Sequence, residues 1–555
     1  MDGLPLTTAL DAGPSGSAGS WWREGVIYQI YPRSFQDADG DGVGDLAGIA
    51  QRLDHLVDLG VDALWISPFF TSPMADFGYD VADYCDVDPL FGSLAAFDRM
   101  MAAAKARGLR VILDLVPNHT SDRHPWFLAS KSSRDDPRRD WYLWRDPAPD
   151  GGPPNNWLSN FGGSAWTLDP GTGQYYAHMF LKEQPDLNWR NPEVRRAIYD
   201  AMRFWLRRGV DGFRVDVIYH LIKDARFRDN PPNPDFVPGG DPAHRLLPLY
   251  TSDRPEVQQI VAEMRGVVDE FERDAVLIGE VYLPIDRLVR YYGADADGAL
   301  RGAQLPFNFH LIGAGWQAAA LDALVRDYEA ALPPGAAPNW VLGNHDKPRI
   351  ASRVGPGGAR LAAMLLLTLR GTPTLYYGDE LGMPDVPIAP SQVQDPFERR
   401  APGLGLGRDP QRTPMPWSAA EPAAGFTTGR PWLPLWPYWR VRGVQAQGLD
   451  PVSMLQLYRR LLSLRRRHAS LNAGRWTSLG VHDDVWAYGR EAGSERLLVL
   501  LNFARARRTL SLPSWLAAGA GGVVRILLST ALDRDERVHE TVSLRPEEGL
   551  VVGLG

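Results

Sequence analysis

The sequence predicts an α/β protein: a (β/α)8 TIM barrel with an inserted subdomain after the third strand and a C-terminal antiparallel β domain. Three observations carry this expectation. From Trp21 onward, short apolar runs alternate with helix-like stretches, the pattern of repeated βα units. Eight such runs occur, the number that closes a barrel of this kind. From Asn472 the pattern changes to short strands with turns, as in Val485–Gly489 and Arg496–Asn502.

In chain order, residues 1–20 are rich in Gly, Ala and Ser and lack the basic start and apolar core of a signal peptide, so they read as a flexible tail. The strand candidates are Val26–Ile30, Ala63–Ser67, Arg110–Leu115, Gly212–Asp216, Val276–Glu280, Gln304–Phe309, Trp340–Gly343 and Thr374–Tyr377. Helix-like segments between them include Leu46–Leu59, Leu94–Arg107, Pro192–Arg208 and Arg254–Arg273. The interval between the third and fourth strands is far longer than one crossover needs, and 119–189 is rich in Pro, Asp, Asn and Trp. It reads as the inserted subdomain, leaving 21–118 and 190–470 for the barrel and 471–555 for the β domain. The Pro/Gly-rich stretch Met383–Pro437 reads as long rim loops, followed by a closing helix near Pro451–His468.

Composition sets outer limits. The 555 residues exceed what one hydrophobic core usually serves, which fits a large catalytic domain with smaller attachments. A formal charge of −8 leaves no basic footprint for nucleic acid or an anionic membrane, and no apolar run is long enough for a transmembrane helix. Cys85 is the only cysteine, which excludes an intramolecular disulfide and fits a reducing, cytoplasmic setting. Oligomeric state stays open between monomer and dimer.

The chemistry is expected where strands end. Asp211-Gly212-Phe213-Arg214-Val215-Asp216 is an apolar strand that delivers Asp216 to the C-terminal rim of the sheet, and alternation puts Arg214 on the same side, where a guanidinium keeps a carboxylate ionised and aimed. Asp216 is the candidate nucleophile. Leu277-Ile278-Gly279-Glu280 ends the fifth strand and Gly343-Asn344-His345-Asp346 the seventh, so three acids face one centre. Glycoside hydrolysis needs such a set, one carboxylate to attack and one acid to protonate the leaving oxygen. Separately, Asp37, Asp39, Asp41 and Asp45 occupy positions 1, 3, 5 and 9 of a calcium-type loop, with Gly42 at 6 and the carbonyl of Val43 at 7. Gly48 stands where the bidentate glutamate of an EF-hand belongs, so a water or another oxygen must substitute there; because the loop follows the first strand, the expectation is one structural divalent cation, Ca2+ or Mg2+, with no organic cofactor.

Together, Val26-Ile27-Tyr28-Gln29-Ile30-Tyr31-Pro32, Asp114 to His119, Gln184-Pro185-Asp186-Leu187-Asn188, Gly212 to Asp216, Glu280 and Asn344-His345-Asp346 resemble glycoside hydrolase family 13, the α-amylase family. The Gln-Pro-Asp-Leu-Asn form is similar to its α-glucosidase and oligo-1,6-glucosidase branch. The resemblance implies a retaining exo-acting α-glucosidase acting on short α-1,4- or α-1,6-glucosides, with Asp216 as nucleophile, Glu280 as acid/base and Asp346 stabilising the transition state. It implies that Asp80, Tyr79, His119, Arg214, His345 and Arg412 bind the terminal glucose and that Phe161 and Phe180 wall the pocket. Val217, just after the nucleophile, resembles the α-1,6-acting members. The alternatives are a glucosyltransferase or sucrose-type isomerase on the same machinery, and a non-catalytic transporter subunit, which needs a membrane helix and a partner-linking cysteine. The segment Lys223–Arg254 is expected to shape the acceptor side, and Gly403–Gly407 reads as plain flexible loop.

Overall fold

The computed structural model describes residues 20–271, 273–400, 402–512 and 524–554. The stretch read as an N-terminal tail lies, except for Ser20, outside the described residues.

The eight barrel strands are β1 Ile27–Ile30, β2 Ala63–Ile66, β3 Arg110–Leu115, β4 Gly212–Val215, β5 Val276–Val281, β6 Leu305–Asn308, β7 Asn339–Val341 and β8 Thr372–Tyr376. They pair in parallel, each with its sequence neighbours, and β8 returns to β1 to close the ring. Each coincides with an expected strand to within two residues at either end. Alternation sorts their side chains into two layers. Ile27, Ala63, Trp65, Ile112, Val276, Ile278, Leu305, Phe307 and Val341 fill the interior, while Tyr28, Leu64, Val111, Phe213 and Leu277 pack outward against the helices. Those helices form for local reasons as well: Asn191 caps Pro192–Arg207 with proline at the first turn, and Val194, Ile198, Ala201, Met202 and Trp205 recur at helical spacing on the buried face.

Two helix expectations are corrected. Leu46–Leu59 is two helices, Leu46–Gln51 and Leu53–Leu59, because Arg52 leaves helical geometry at ψ 7°. Among the described residues, the 254–273 segment is helical over Val257–Asp269. Within 119–189 lies a three-stranded antiparallel sheet of Trp144–Arg145, Gln174–Ala177 and Trp166–Asp169. A five-stranded antiparallel sheet is made of β9 Arg475–His482, β10 Val485–Ala492, β11 Glu495–Asn502, β12 Val524–Ser529 and β13 Gly549–Leu554. It joins the barrel where the helices Ile350–Thr368 and Met454–Arg467 meet. There the buried Arg465 donates to the carbonyls of Leu367, Leu369, Gly371 and Leu471, and the buried Arg490 to those of Thr368, Asn472 and Gly474.

Candidate active site

Register brings the acids together. Gly279 of β5 lies beside Val215 of β4, so Glu280 and Asp216 follow at the same height on adjacent strands. Arg214 points into the barrel and is fully buried. Its Nη1 lies 2.7 Å from Asp216 Oδ1 and 2.8 Å from Asp114 Oδ1, and its Nη2 lies 2.7 Å from Glu280 Oε1. One guanidinium thus bridges both candidate catalytic carboxyls. The other oxygen of Glu280 accepts the main-chain N–H of Val217 at 2.8 Å.

The third acid has a different setting. Asp346 receives Arg412 Nη2 at 2.8 Å and Arg408 Nη1 at 3.3 Å, with His345 Nε2 at 3.4 Å. Burial alone would raise its pKa, but Arg408, Arg412 and Arg214 hold it far below the usual carboxylate range; the neutral His345 adds no charge. It is a fixed anion. Burial raises the proton affinity of Asp216 strongly, the charge of Glu280 adds to this, and Arg214 opposes both. Asp114, beneath them, is pushed up to about 6 by burial against the pull of Arg214.

A single hydrogen-bond chain fixes the floor. The Gln29 amide meets His345 Nδ1 at 2.8 Å, so Nε2 carries the proton and donates to Tyr79 Oη at 2.7 Å, and that hydroxyl donates to Asp114 at 3.1 Å. The imidazole lies nearly parallel to the rings of Tyr31 and Tyr79, with ring centroids 5.7 and 5.4 Å away, and burial lowers its pKa to about 3, keeping it neutral.

Above this floor is a cavity of about 570 Å3 lined by Asp216, Val217, Glu280, Asp346, Tyr79, His119, Phe161 and Phe180, all expected from the sequence. Arg214 and His345 do not line it; they act from behind, through the acids. Two expectations are corrected. Asp80 is fully buried, its carboxylate accepting the N–H groups of Ala75 and Asp76, so it holds the loop rather than facing the cavity. Arg412 likewise supports Asp346 and the His345 carbonyl from outside the cavity wall. The wall positions belong instead to Asp76 and Arg408, paired at 2.6 Å. Gly405-Leu406-Gly407, read as plain loop, lines the same wall, together with Gln184, Tyr282 and Phe397. The outer rim includes Asp241 and the exposed His244, from the segment expected at the acceptor side. Buried Lys223 lies 2.6 Å from both Asp186 and Asn118, tying the Gln184–Asn188 stretch to the end of β3.

The acidic loop after β1 is separate from the cavity. Asp37, Asp39 and Asp45 bring carboxylate oxygens within 4.8 Å of one another, a hard-oxygen cluster that suits a divalent cation. Asp41 lies outside this carboxylate cluster; one of its oxygens accepts the Val43 N–H at 2.7 Å.

The sequence matches the α-amylase catalytic-domain family over residues 29–474. It is 44% identical over 506 residues to a probable α-glucosidase of Rhizobium meliloti, covering 89% of this chain and 91% of that one. It is 38% identical to the oligo-1,6-glucosidase of Parageobacillus thermoglucosidasius, covering 96% of this chain and 98% of that one. Among solved structures, the α-glucosyl transfer enzyme XgtA superposes with a TM-score of 0.88 at 41% identity, covering 97% of this chain and 100% of that one. The trehalulose synthase MutB of Pseudomonas mesoacidophila gives a TM-score of 0.86 at 34% identity, with coverage of 97% and 100%.

Proposed function

This chain belongs to the α-amylase family of glycoside hydrolases, and on that premise we propose that it is a retaining, exo-acting α-glucosidase of short α-glucosides. The observation that carries the reading is the single guanidinium spanning Asp216 and Glu280, which sets a nucleophile and an acid side by side. In the retaining reaction Asp216 attacks C1, the C1–O bond breaks, and its electron pair stays on the leaving oxygen as that oxygen takes the proton of Glu280. Water then attacks C1 of the glucosyl ester, giving its proton to Glu280 and releasing Asp216. Positive charge builds on the sugar in both steps, and Asp346, held ionised by Arg408 and Arg412, is placed to stabilise it.

Exo action follows from the depth of the cavity. Asp76, Tyr79, His119 and Arg408 are all at most 9% exposed, whereas His244 and Gly405 are open to solvent, so the site has one buried end and one open rim. A terminal glucose fits the buried end, with the rest of the substrate leaving past the rim. Likeness to a glucosyl transfer enzyme supports a second use of the same intermediate, with a sugar hydroxyl replacing water at the Asp241–His244 rim. Val217 on the wall supports a preference for α-1,6 linkages. Asp37, Asp39 and Asp45 would hold one structural cation, Ca2+ or Mg2+, which would brace the loop after β1.

The test is the product profile from maltose, isomaltose and sucrose by anomer-resolved NMR. Glucose released first as the α-anomer is expected, with longer products at high substrate marking transfer. The β-anomer first would overturn the retaining mechanism.

A further inference from the structure

Val217 has φ 36° and ψ 45°, in the left-handed region. That region is rare for any residue other than glycine and a genuine outlier for a β-branched one, so surrounding structure must impose it, and such strain gathers at functional sites. The surroundings here are explicit. The Asp216 N–H is spent on the Leu115 carbonyl of β3 at 2.8 Å, so strand alternation sends the next N–H, that of Val217, toward β5. The left-handed turn then takes the chain out of the ladder into a short 3-10 turn, Ile218–His220, closed by the His220 N–H on the Val217 carbonyl at 2.8 Å. Ile218 packs over Gly279, where an added Cβ would lie 3.2 Å from Ile218 Cγ2. The ladder therefore stops at the nucleophile. The Val217 N–H faces β5 and goes to a side chain instead of a ladder carbonyl, namely Glu280 Oε2.

We propose that Val217 is a positioning residue: its left-handed turn holds a main-chain N–H on Glu280, so that the acid is clamped between this amide and Arg214 and keeps one rotamer through both half-reactions. The proposal rests on Glu280 being the acid/base. It gives position 217 a role in leaving-group protonation, distinct from the place of its isopropyl group on the cavity wall. Arg214 can orient only one oxygen of Glu280; the amide fixes the second, and with it the plane of the carboxyl group.

The test exchanges the amide between residues 216 and 217 for an ester by installing the α-hydroxy acid of valine at 217, which removes the N–H and keeps the isopropyl wall. With maltose and methyl α-glucoside, whose leaving groups need a proton, kcat/KM is expected to fall about 10–100-fold. With 4-nitrophenyl α-glucoside and α-glucosyl fluoride, whose leaving groups need little help, the fall is expected to stay within about threefold. Equal losses on all four, or no loss, would overturn the proposal. Val217→Gly, which keeps the N–H and adopts positive φ freely, is expected to retain the wild-type ordering of leaving groups; a steep dependence there would move the role to the side chain and also overturn it. Glu280→Gln separates the two levels. If that variant slows all leaving groups alike, the acid/base assignment fails; if it is selective while the ester is not, only the role of Val217 fails.

Discussion

Arg214 in the candidate catalytic centre and the pair Arg465 and Arg490 at the barrel–sheet junction are all fully buried, yet they meet opposite partners. Arg214 is surrounded by three carboxyls. Burial opposes its charge, but Asp114, Glu280 and Asp216 more than restore it, and its pKa rises well above the ordinary value. Arg465 and Arg490 have no carboxylate within ion-pair distance among the described residues. They satisfy main-chain carbonyls, several at the C-terminal end of the helix Ile350–Thr368, where a cation opposes the negative end of the helix dipole. Burial lowers them to about 10 and about 9. Burial of an arginine is therefore no guide to its purpose. The partner's charge decides: the first arrangement crowds negative charge that chemistry can use, and the second closes orphan backbone groups that the fold requires.

The largest effect that sharpens the contrast is Asp216→Asn. It should lower kcat/KM by about 10⁴-fold with the melting temperature unchanged or higher, measured by steady-state kinetics and calorimetry; wild-type-like turnover would remove the nucleophile assignment. At the junction the signs reverse. Arg490→Ala leaves buried carbonyls unpaired and should cost about 2–4 kcal/mol in urea unfolding, while kcat/KM per folded molecule stays within about twofold.

Asp114→Asn tests the contrast through pH. Folded Asp114 keeps its proton up to about 6, whereas its ordinary value is 3.8, so the folded state binds more protons between these limits. Its contribution to stability is full below 3.8 and is lost as pH rises through about 6. The asparagine variant, which never ionises, should be more stable than wild type by about 1–2 kcal/mol at pH 7.5 and equal to it near pH 3.5. Its kcat should fall, since Arg214 and Tyr79 lose an anionic partner. The smallest effect lies at the acidic loop. Chelation should lower the melting temperature by a few degrees and leave the leaving-group profile unchanged, since Asp37, Asp39 and Asp45 are remote from the cavity lining.

Much of the catalytic region was legible in the sequence, for a physical reason. Parallel strands buried on both faces read as continuous apolar runs, and the first acid after each run marks the rim, which is how Asp216, Glu280 and Asp346 stood out. Asp76 and Arg408 did not, because the pair joins loops 332 residues apart and neither loop has a period to read. Asp80 was the misleading acid of its loop: fully buried, it serves the backbone, while Asp76, three residues before Tyr79, takes the wall. The junction left a trace that passed unread. Tyr458, Leu461, Leu462 and Arg465 fall at helical spacing on one buried face, so an arginine sat on the apolar stripe.

The bridging guanidinium has a consequence for timing. Before the proposed reaction the nucleophile Asp216, on one arm of Arg214, carries a negative charge, and Glu280, on the other arm, carries a proton. Once the glucosyl ester forms, Asp216 is neutral and Glu280 has given its proton away. The total charge facing Arg214 is unchanged, and only the occupied arm differs, as on a seesaw whose load slides from one seat to the other. A counter-ion that never loses its partner has no need to reorganise between the half-reactions, so the barrel can stay rigid while the charge crosses it.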